Sequence, residues 1–205
     1  MSQPSKADLR PTLRAKRRRA LPEVEAAIQA LAQTVLPPLL GAGRLGLYWP
    51  LAGEIDLRDL RQTLGERLAL PAVERATPAP ELGADQQPPS RLVYRPWNQA
   101  QPLEADGCGI PAPAASTPPL KPADLGLLLV PALAVDGRGY RLGYGGGWYD
   151  RLRSDPAWAR VPALAVLPAA CRLEQLPHDP WDIPLAGWLS EDGLHWIETP
   201  QRPEA

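Results

Sequence analysis

An unbroken apolar run at residues 125–130, LGLLLV, leads into the string VPALAVDGRGYRLGYGGGWYDR from Val130 to Arg151. A segment with no polar face must be covered on both sides. Strands of this kind belong to parallel sheets flanked by helices. Further apolar runs occur at 45–49, 68–73 and 163–167, with weaker strand candidates at 92–95 and 188–189. Pro71 either breaks the second of these or places it at a sheet edge.

Helical patterns alternate with the strands. Ser5 and Asp8 have the spacing of a capping box that opens a helix toward Leu21. Leu9 and Leu13 share one stripe of that helix, and Lys6, Arg10 and Arg14 share another. Pro22 suits the first turn of a second helix. Its apolar stripe, Val24, Ile28, Leu31 and Val35, ends at Pro37 and Pro38. Asp56 and Asp59 can cap a helix running to about Arg67, and another helix is expected from Trp148. The alternation predicts an α/β fold: an open, mainly parallel sheet with helices on both faces, a Rossmann-like three-layer arrangement.

The 205 residues suit one domain, 1–205, with a substantial core. Of the 27 prolines, eleven fall between Pro71 and Pro119. Residues 71–120 therefore read as irregular chain over the surface of that domain. Net charge is −1, which argues against a molecule that binds nucleic acid through its overall field. The basic run from Lys16 to Arg19 has no second cluster to extend it. Cys108 and Cys171 form no Cys-x-x-Cys pattern and read as free thiols of a reducing compartment, not as a zinc site or a disulfide. No apolar run reaches the roughly 18–20 residues of a membrane span. The N-terminus is polar and basic with no apolar region after it, so no secretory signal is expected and the expected location is the cytoplasm.

The glycine-dense run carries the chemistry. Glycine admits positive φ and close approach of the backbone to a ligand. Successive N–H groups in such a loop form a concavity suited to phosphate oxygens, and a helix starting at Trp148 adds the positive end of its dipole. Arg141 offers a planar set of donors for phosphate. Asp150 is a hard oxygen ligand of the kind magnesium uses beside a nucleotide. The loop is neither a Walker A motif nor Gly-x-Gly-x-x-Gly, so residue-level reasoning ends at an anion-binding loop, with a ligand-free glycine turn as the plain alternative. It leaves open a nucleotide-dependent kinase, a sugar-phosphate isomerase, or a non-catalytic nucleotide- or RNA-binding module.

The string Arg141-Leu142-Gly143-Tyr144-Gly145-Gly146-Gly147-Trp148-Tyr149-Asp150-Arg151 resembles the signature of the 5-formyltetrahydrofolate cyclo-ligase family, Arg-Leu-Gly-x-Gly-x-Gly-Tyr-Tyr-Asp. In that signature an Asp-x-x-Gly turn precedes the loop, here Asp136 to Gly139. Other pieces follow the family's order: Lys6 and Arg10 as Lys-x-x-x-Arg; Tyr48, Pro50, Glu54, Ile55 and Asp56; Gly109 to Pro113; and Trp181 to Leu185. The resemblance spans nearly the whole chain. Departures are Trp148 where Tyr is usual, Val135 for a common Phe, Ala112 for a Glu, and Gly146 where some members carry Lys.

The resemblance implies an ATP-dependent closure of 5-formyltetrahydrofolate to 5,10-methenyltetrahydrofolate, with ATP and magnesium as requirements and a reduced folate as substrate. It implies that Lys6, Arg10, Arg141, Leu142, Gly143, Tyr144, Gly145, Gly146, Gly147, Trp148 and Tyr149 hold the nucleotide. Arg141 and Asp150 would act in the phosphoryl transfer. Trp49, Glu54 and Trp148 would hold the folate. Asp150 and Asp182 would hold the metal, with Asp179 as the fallback for the second. His178 and His195 sit in no motif and are not expected to act. A monomer without nucleic-acid or membrane partners is expected.

Overall fold

The computed structural model describes residues 4–75, 90–98 and 101–197. Helix α1 spans Lys6–Val35, followed by strand β1, Arg44–Gly46, the one-turn helix α2, Arg61–Leu64, and strands β2, Leu68–Arg75, and β3, Ser90–Trp97. The short strands β4, Leu103–Ala105, and β5, Pro111–Pro113, precede the long strand β6, Leu125–Pro131. Then come β7, Ala134–Asp136, β8, Arg141–Leu142, and helices α3, Trp148–Arg153, and α4, Pro156–Ala159. The chain continues through β9, Ala163–Val166, β10, Arg172–Leu173, β11, Gly187–Ser190, and β12, Gly193–Trp196.

Seven strands form the main sheet in the order β12-β11-β9-β6-β1-β2-β3. Its five inner strands pair in parallel, and the two edge strands, β3 and β12, run antiparallel to their neighbours. The apolar run at 125–130 lies at the centre of this sheet. Leu127 and Leu129 face a core formed with Ile28, Ala32 and Leu36 at the end of α1. Leu128 and Val130 face the opposite core, with Leu152 of α3 and Trp158 of α4. Period-2 alternation from Leu127 to Val130 thus delivers each of these side chains to an apolar layer, which explains why the run carries no polar position. The mainly parallel sheet with helices on both faces follows from this. Among the described residues no helix is long and apolar enough to cross a membrane.

Three expectations change. The two helices expected before residue 36 are one, with Pro11 and Pro22 inside it. Arg18, whose carbonyl Pro22 cannot bond, and Pro22 itself are both exposed, so water can satisfy the freed acceptor and the helix continues. The helix expected from Asp56 to Arg67 is three single turns, of which only α2 is α-helical. Asp56 spends its carboxylate on the Arg58 amide and guanidinium. The stretch 71–120 is not irregular throughout. β2 and β3 pair over eight residues, and β4 pairs with β5. Pro71 lies beyond the β1–β2 pairing, which covers Leu68 and Ala69, so its missing N–H breaks no ladder bond on that side. Residues 76–89 lie outside the described set.

Candidate active site at the glycine loop

Between the end of β6 and the glycine loop stands a small hairpin, β7–β8, joined by β10 into a separate three-stranded sheet. Asp136, fully buried, organises its turn. One carboxylate oxygen accepts from the amides of Arg138 at 2.9 Å and Tyr140 at 3.1 Å. The other accepts from the Leu176 amide at 3.0 Å and the Arg138 guanidinium at 2.8 Å. Gly139 follows at φ +88°, and a Cβ there would meet the Leu185 carbonyl oxygen at 2.4 Å. The Asp-x-x-Gly turn is therefore clamped onto the 176–185 segment, and both walls of the site are set by one buried carboxylate.

Beyond Leu142 the loop turns at Gly145, φ +104°, and at Gly147, φ +62°, the residue that caps α3. These two positions require glycine for their backbone alone. α3 has six residues, so its dipole is that of a short helix. The loop lines a cleft of about 580 Å³ together with Lys6 and Arg10 from the start of α1, and with Asp179, Trp181 and Asp182 from the opposite wall. The sequence expectation that the N-terminal Lys-x-x-x-Arg meets the glycine loop thus corresponds to a single concave surface.

The charges in this cleft are paired across chain segments. Arg10 Nε donates to the Gly143 carbonyl at 3.0 Å, placing its guanidinium beneath Gly145. Lys6 Nζ donates to Asp179 Oδ2 at 2.7 Å and also to Asp182. Burial works to lower the Lys6 pKa, but the hydrogen bonds and charges of these two carboxylates prevail and hold it above the ordinary value. Arg141 Nη2 donates to Asp150 Oδ2 at 2.9 Å, and the Ile183 amide donates to the other Asp150 oxygen at 3.4 Å. The Arg151 guanidinium sits 4.5 Å from the Trp148 ring, and that of Arg141 lies 5.8 Å from the Tyr149 ring.

No group of three or more His, Cys, Asp or Glu side chains is disposed to hold a metal among the described residues. The carboxylates that do line the cleft, Asp150 on one wall and Asp179 and Asp182 on the other, fit magnesium delivered on a nucleotide. That ion keeps several waters and takes one or two carboxylates beside the phosphates.

Of the folate-side candidates Trp148 lines the cleft, and Trp49 and Glu54 do not. Trp49 lies outside the cleft lining, edge-on to Trp97 at 6.4 Å and covered by the Arg58 guanidinium at 4.4 Å. Glu54 is 6% exposed. Its Oε2 accepts from the Leu51 amide at 2.8 Å, which closes the turn between Pro50 and Gly53. Burial raises the pKa of the Glu54 carboxyl, while the Leu51 amide, the Tyr144 hydroxyl and the Arg17 charge pull it back. Tyr144 belongs to the glycine loop, so Glu54 reaches the loop through that side chain. Burial and the Glu54 charge push the Tyr144 hydroxyl upward in turn.

Arg17 was missed as a site residue because it stands in a run of basic residues that reads as solvated. It is 4% exposed, donates to the Ala132 carbonyl at 3.3 Å, and lies 5.3 Å from the Tyr144 ring. Its spacing could have marked it: it follows Leu13 by four residues and shares that inward stripe. Arg14 remains exposed, with its guanidinium 5.6 Å from the same ring.

Residues 2–190 match the 5-formyltetrahydrofolate cyclo-ligase family. The chain is 32% identical to a 5-formyltetrahydrofolate cyclo-ligase of Mycolicibacterium smegmatis, over 93% of this chain and 95% of that one. It is 28% identical to the Escherichia coli enzyme of the same name, over 84% and 93%. The NMR structure of Aquifex aeolicus 5,10-methenyltetrahydrofolate synthetase superimposes with a TM-score of 0.70 at 25% identity, covering 98% of this chain and 96% of that one. With the match running from the start of α1 through β11, the chain belongs to the 5-formyltetrahydrofolate cyclo-ligase family.

Proposed function

We propose that this protein closes 5-formyltetrahydrofolate to 5,10-methenyltetrahydrofolate at the expense of ATP, yielding ADP and phosphate. The observation that carries this reading is the convergence of Lys6, Arg10 and Arg141 on one glycine-lined cleft.

The formyl oxygen on nitrogen 5 attacks the γ-phosphorus and ADP leaves. Nitrogen 10 then attacks the activated carbon, loses its proton, and phosphate departs with the former formyl oxygen. An amide oxygen is a poor leaving group until it is phosphorylated, so the protein's task is positioning and neutralisation of charge. The loop amides from Gly143 to Gly147, together with Leu142, Trp148 and Tyr149, cradle the nucleotide. Arg10 holds the loop from beneath through the Gly143 carbonyl. Lys6 and Arg141 meet the phosphate oxygens from the two walls. Magnesium on Asp150, with Asp182 or Asp179 across the cleft, would supply Lewis-acid stabilisation of the transferring group. Glu54 accepts hydrogen bonds from the pterin's donors. Trp148 borders the folate from the loop, and Trp49 from the far side of the turn. The unit working in this way is the single domain 1–205, a monomer in the cytoplasm.

The test uses purified protein with 5-formyltetrahydrofolate and magnesium-ATP, followed at the methenyl absorbance band. Product should form only when nucleotide and divalent cation are both present. Turnover that persists in EDTA, or without ATP, contradicts the reading.

A further inference from the structure

Three buried polar atoms near the glycine loop lack a hydrogen bond of normal geometry, Arg17 Nε, Glu54 Oε1 and Tyr144 Oη, although Tyr144 lies close enough to Glu54 and Arg17 for each to act on its hydroxyl. They come from three distant segments, yet they belong to one cluster. The Tyr144 hydroxyl is under the influence of both the Glu54 carboxylate and the Arg17 guanidinium, and the Arg17 charge acts on Glu54. Arg17 also reaches the turn that carries Glu54. A Cβ on Gly53 would stand 3.6 Å from its Nη2. Its Nη1 is tied to the Ala132 carbonyl just past β6. One guanidinium thus bonds the chain leaving the central strand and lies beside the turn before Glu54 and the Tyr144 ring of the glycine loop.

A buried arginine with an unpaired N–H is costly unless its charge is answered nearby. Among the side chains facing Glu54, Arg17 is the cation; the others are Tyr48, Tyr144 and Tyr149, all neutral phenols with hydroxyls pushed upward by burial. Removing Arg17 would take away a cation that acts on the buried Glu54 and leave the Leu51 amide and the phenols around it.

We propose that Arg17 is a positioning residue for the folate side of the site, holding the Glu54 turn and Tyr144 together so that carboxylate and glycine loop move as one. This rests on the proposed function and assigns it a residue outside the motif set. Arg17 acts through Glu54 and Tyr144, so it should govern the acid limb of the folate pH profile and leave nucleotide affinity largely alone.

The measurement is the pH dependence of kcat/KM for 5-formyltetrahydrofolate at saturating magnesium-ATP, which reports groups on the free enzyme. Arg17→Gln keeps a donor for Ala132 and loses the charge. Its acid limb should move about one pH unit upward, as loss of an opposite charge at close range implies. Arg17→Lys keeps the charge and loses the planar contact. Its limb should stay where the wild type has it, while KM for the folate rises severalfold. Should Arg17→Gln fail to fold, Tyr144→Phe replaces it, because loss of the hydroxyl should move the same limb upward. An Arg17→Gln or Tyr144→Phe profile superimposable on the wild type overturns the proposal, as does an equal rise of KM for folate and ATP. A wild type without any cyclisation overturns instead the function on which the proposal rests.

Discussion

Arg141 and Asp150 form an ion pair of 2.9 Å across the glycine loop, from the strand that enters it to the helix that leaves it. The Arg141 side chain is 6% exposed and that of Asp150 20%, and both line the cleft. Asp150 has a second oxygen held by the Ile183 amide. The pair therefore fixes both ends of the loop against the opposite wall, and it offers the cleft one oriented anion.

Asp150→Asn keeps the shape and removes that anion. If Asp150 holds magnesium, kcat should fall by at least about a hundredfold, since metal stabilisation of phosphoryl transfer contributes several kcal/mol. Steady-state rates over a magnesium titration check this. Near-normal kcat at saturating magnesium would leave Asp150 as the partner of Arg141 and nothing more.

Lys6→Ala removes the ammonium shared by Asp179 and Asp182. The two carboxylates then lose their common counter-charge at the mouth of the cleft. KM for ATP should rise about tenfold or more, consistent with roughly 1.5–3 kcal/mol for a charged hydrogen bond, while KM for the folate changes little. Equal changes in both constants would show a general distortion of the cleft. The raised pKa of Lys6 also fixes a pH window. The pair's contribution to stability is complete below the unfolded lysine's titration near 10.5 and is lost as pH rises through the folded value. Wild type and Lys6→Ala should therefore converge in melting temperature only under strongly alkaline conditions.

The layers of the fold were legible because β6 announces itself: six residues with no polar position are too short a run for a buried helix and suit a strand covered twice. The glycine loop was legible because Gly145 and Gly147 occupy backbone conformations that other residues rarely adopt. What the sequence hid has physical reasons. Pro22 looks like a helix start, and only its exposure shows why the helix runs through it. The pairing of β2 with β3 is long in space and separated in sequence, so prolines dominated the local pattern of residues 71–120. Arg17 was hidden by Lys16, Arg18 and Arg19, its exposed neighbours, because a run of charge masks the one member that turns inward. Ala112, which departs from the family pattern expected from sequence, is 1% exposed and packs with Ala72 and Val93, a setting that suits a methyl group.

Gly139→Ala tests the clamp between the Asp136 turn and the 176–185 segment. The added Cβ would meet the Leu185 carbonyl at 2.4 Å, in a residue at φ +88°. The backbone conformation alone costs roughly 1–2 kcal/mol, and the contact is with main chain that cannot swing aside. Melting temperature should fall by several degrees, by about 2–4 °C per kcal/mol for a chain of this size. Both substrate KM values should rise, because Asp182 and the loop lose their common support. A variant as stable as the wild type would show that the two segments are not held together by this contact.

Glu54→Gln separates binding from stability at one position. The carboxylate is buried, and burial is the largest influence on it, raising its pKa above the ordinary value of 4.5. A raised folded-state pKa means that the folded protein holds this proton more tightly than the unfolded chain does. The stability contributed by the protonated form is complete below the unfolded value and is lost as pH rises through the folded one. The amide does not titrate and retains an oxygen for the Leu51 N–H. Glu54→Gln should therefore melt close to the wild type near pH 4 and above it at neutral pH, where the wild type must hold a buried anion. Function should move in the opposite direction. The pterin presents N–H donors, and an amide that turns its own donors toward them loses a charged hydrogen bond of roughly 1.5–3 kcal/mol. Folate affinity should fall about tenfold or more, with ATP affinity nearly unchanged. Thermal melts at the two pH values, together with separate folate and nucleotide titrations, measure both effects on one protein. A larger loss in kcat than in folate affinity would place Glu54 at the transition state. If neither affinity changes while the neutral-pH stability still rises, Glu54 is a buried strain point of the Pro50–Gly53 turn, and the folate is held elsewhere.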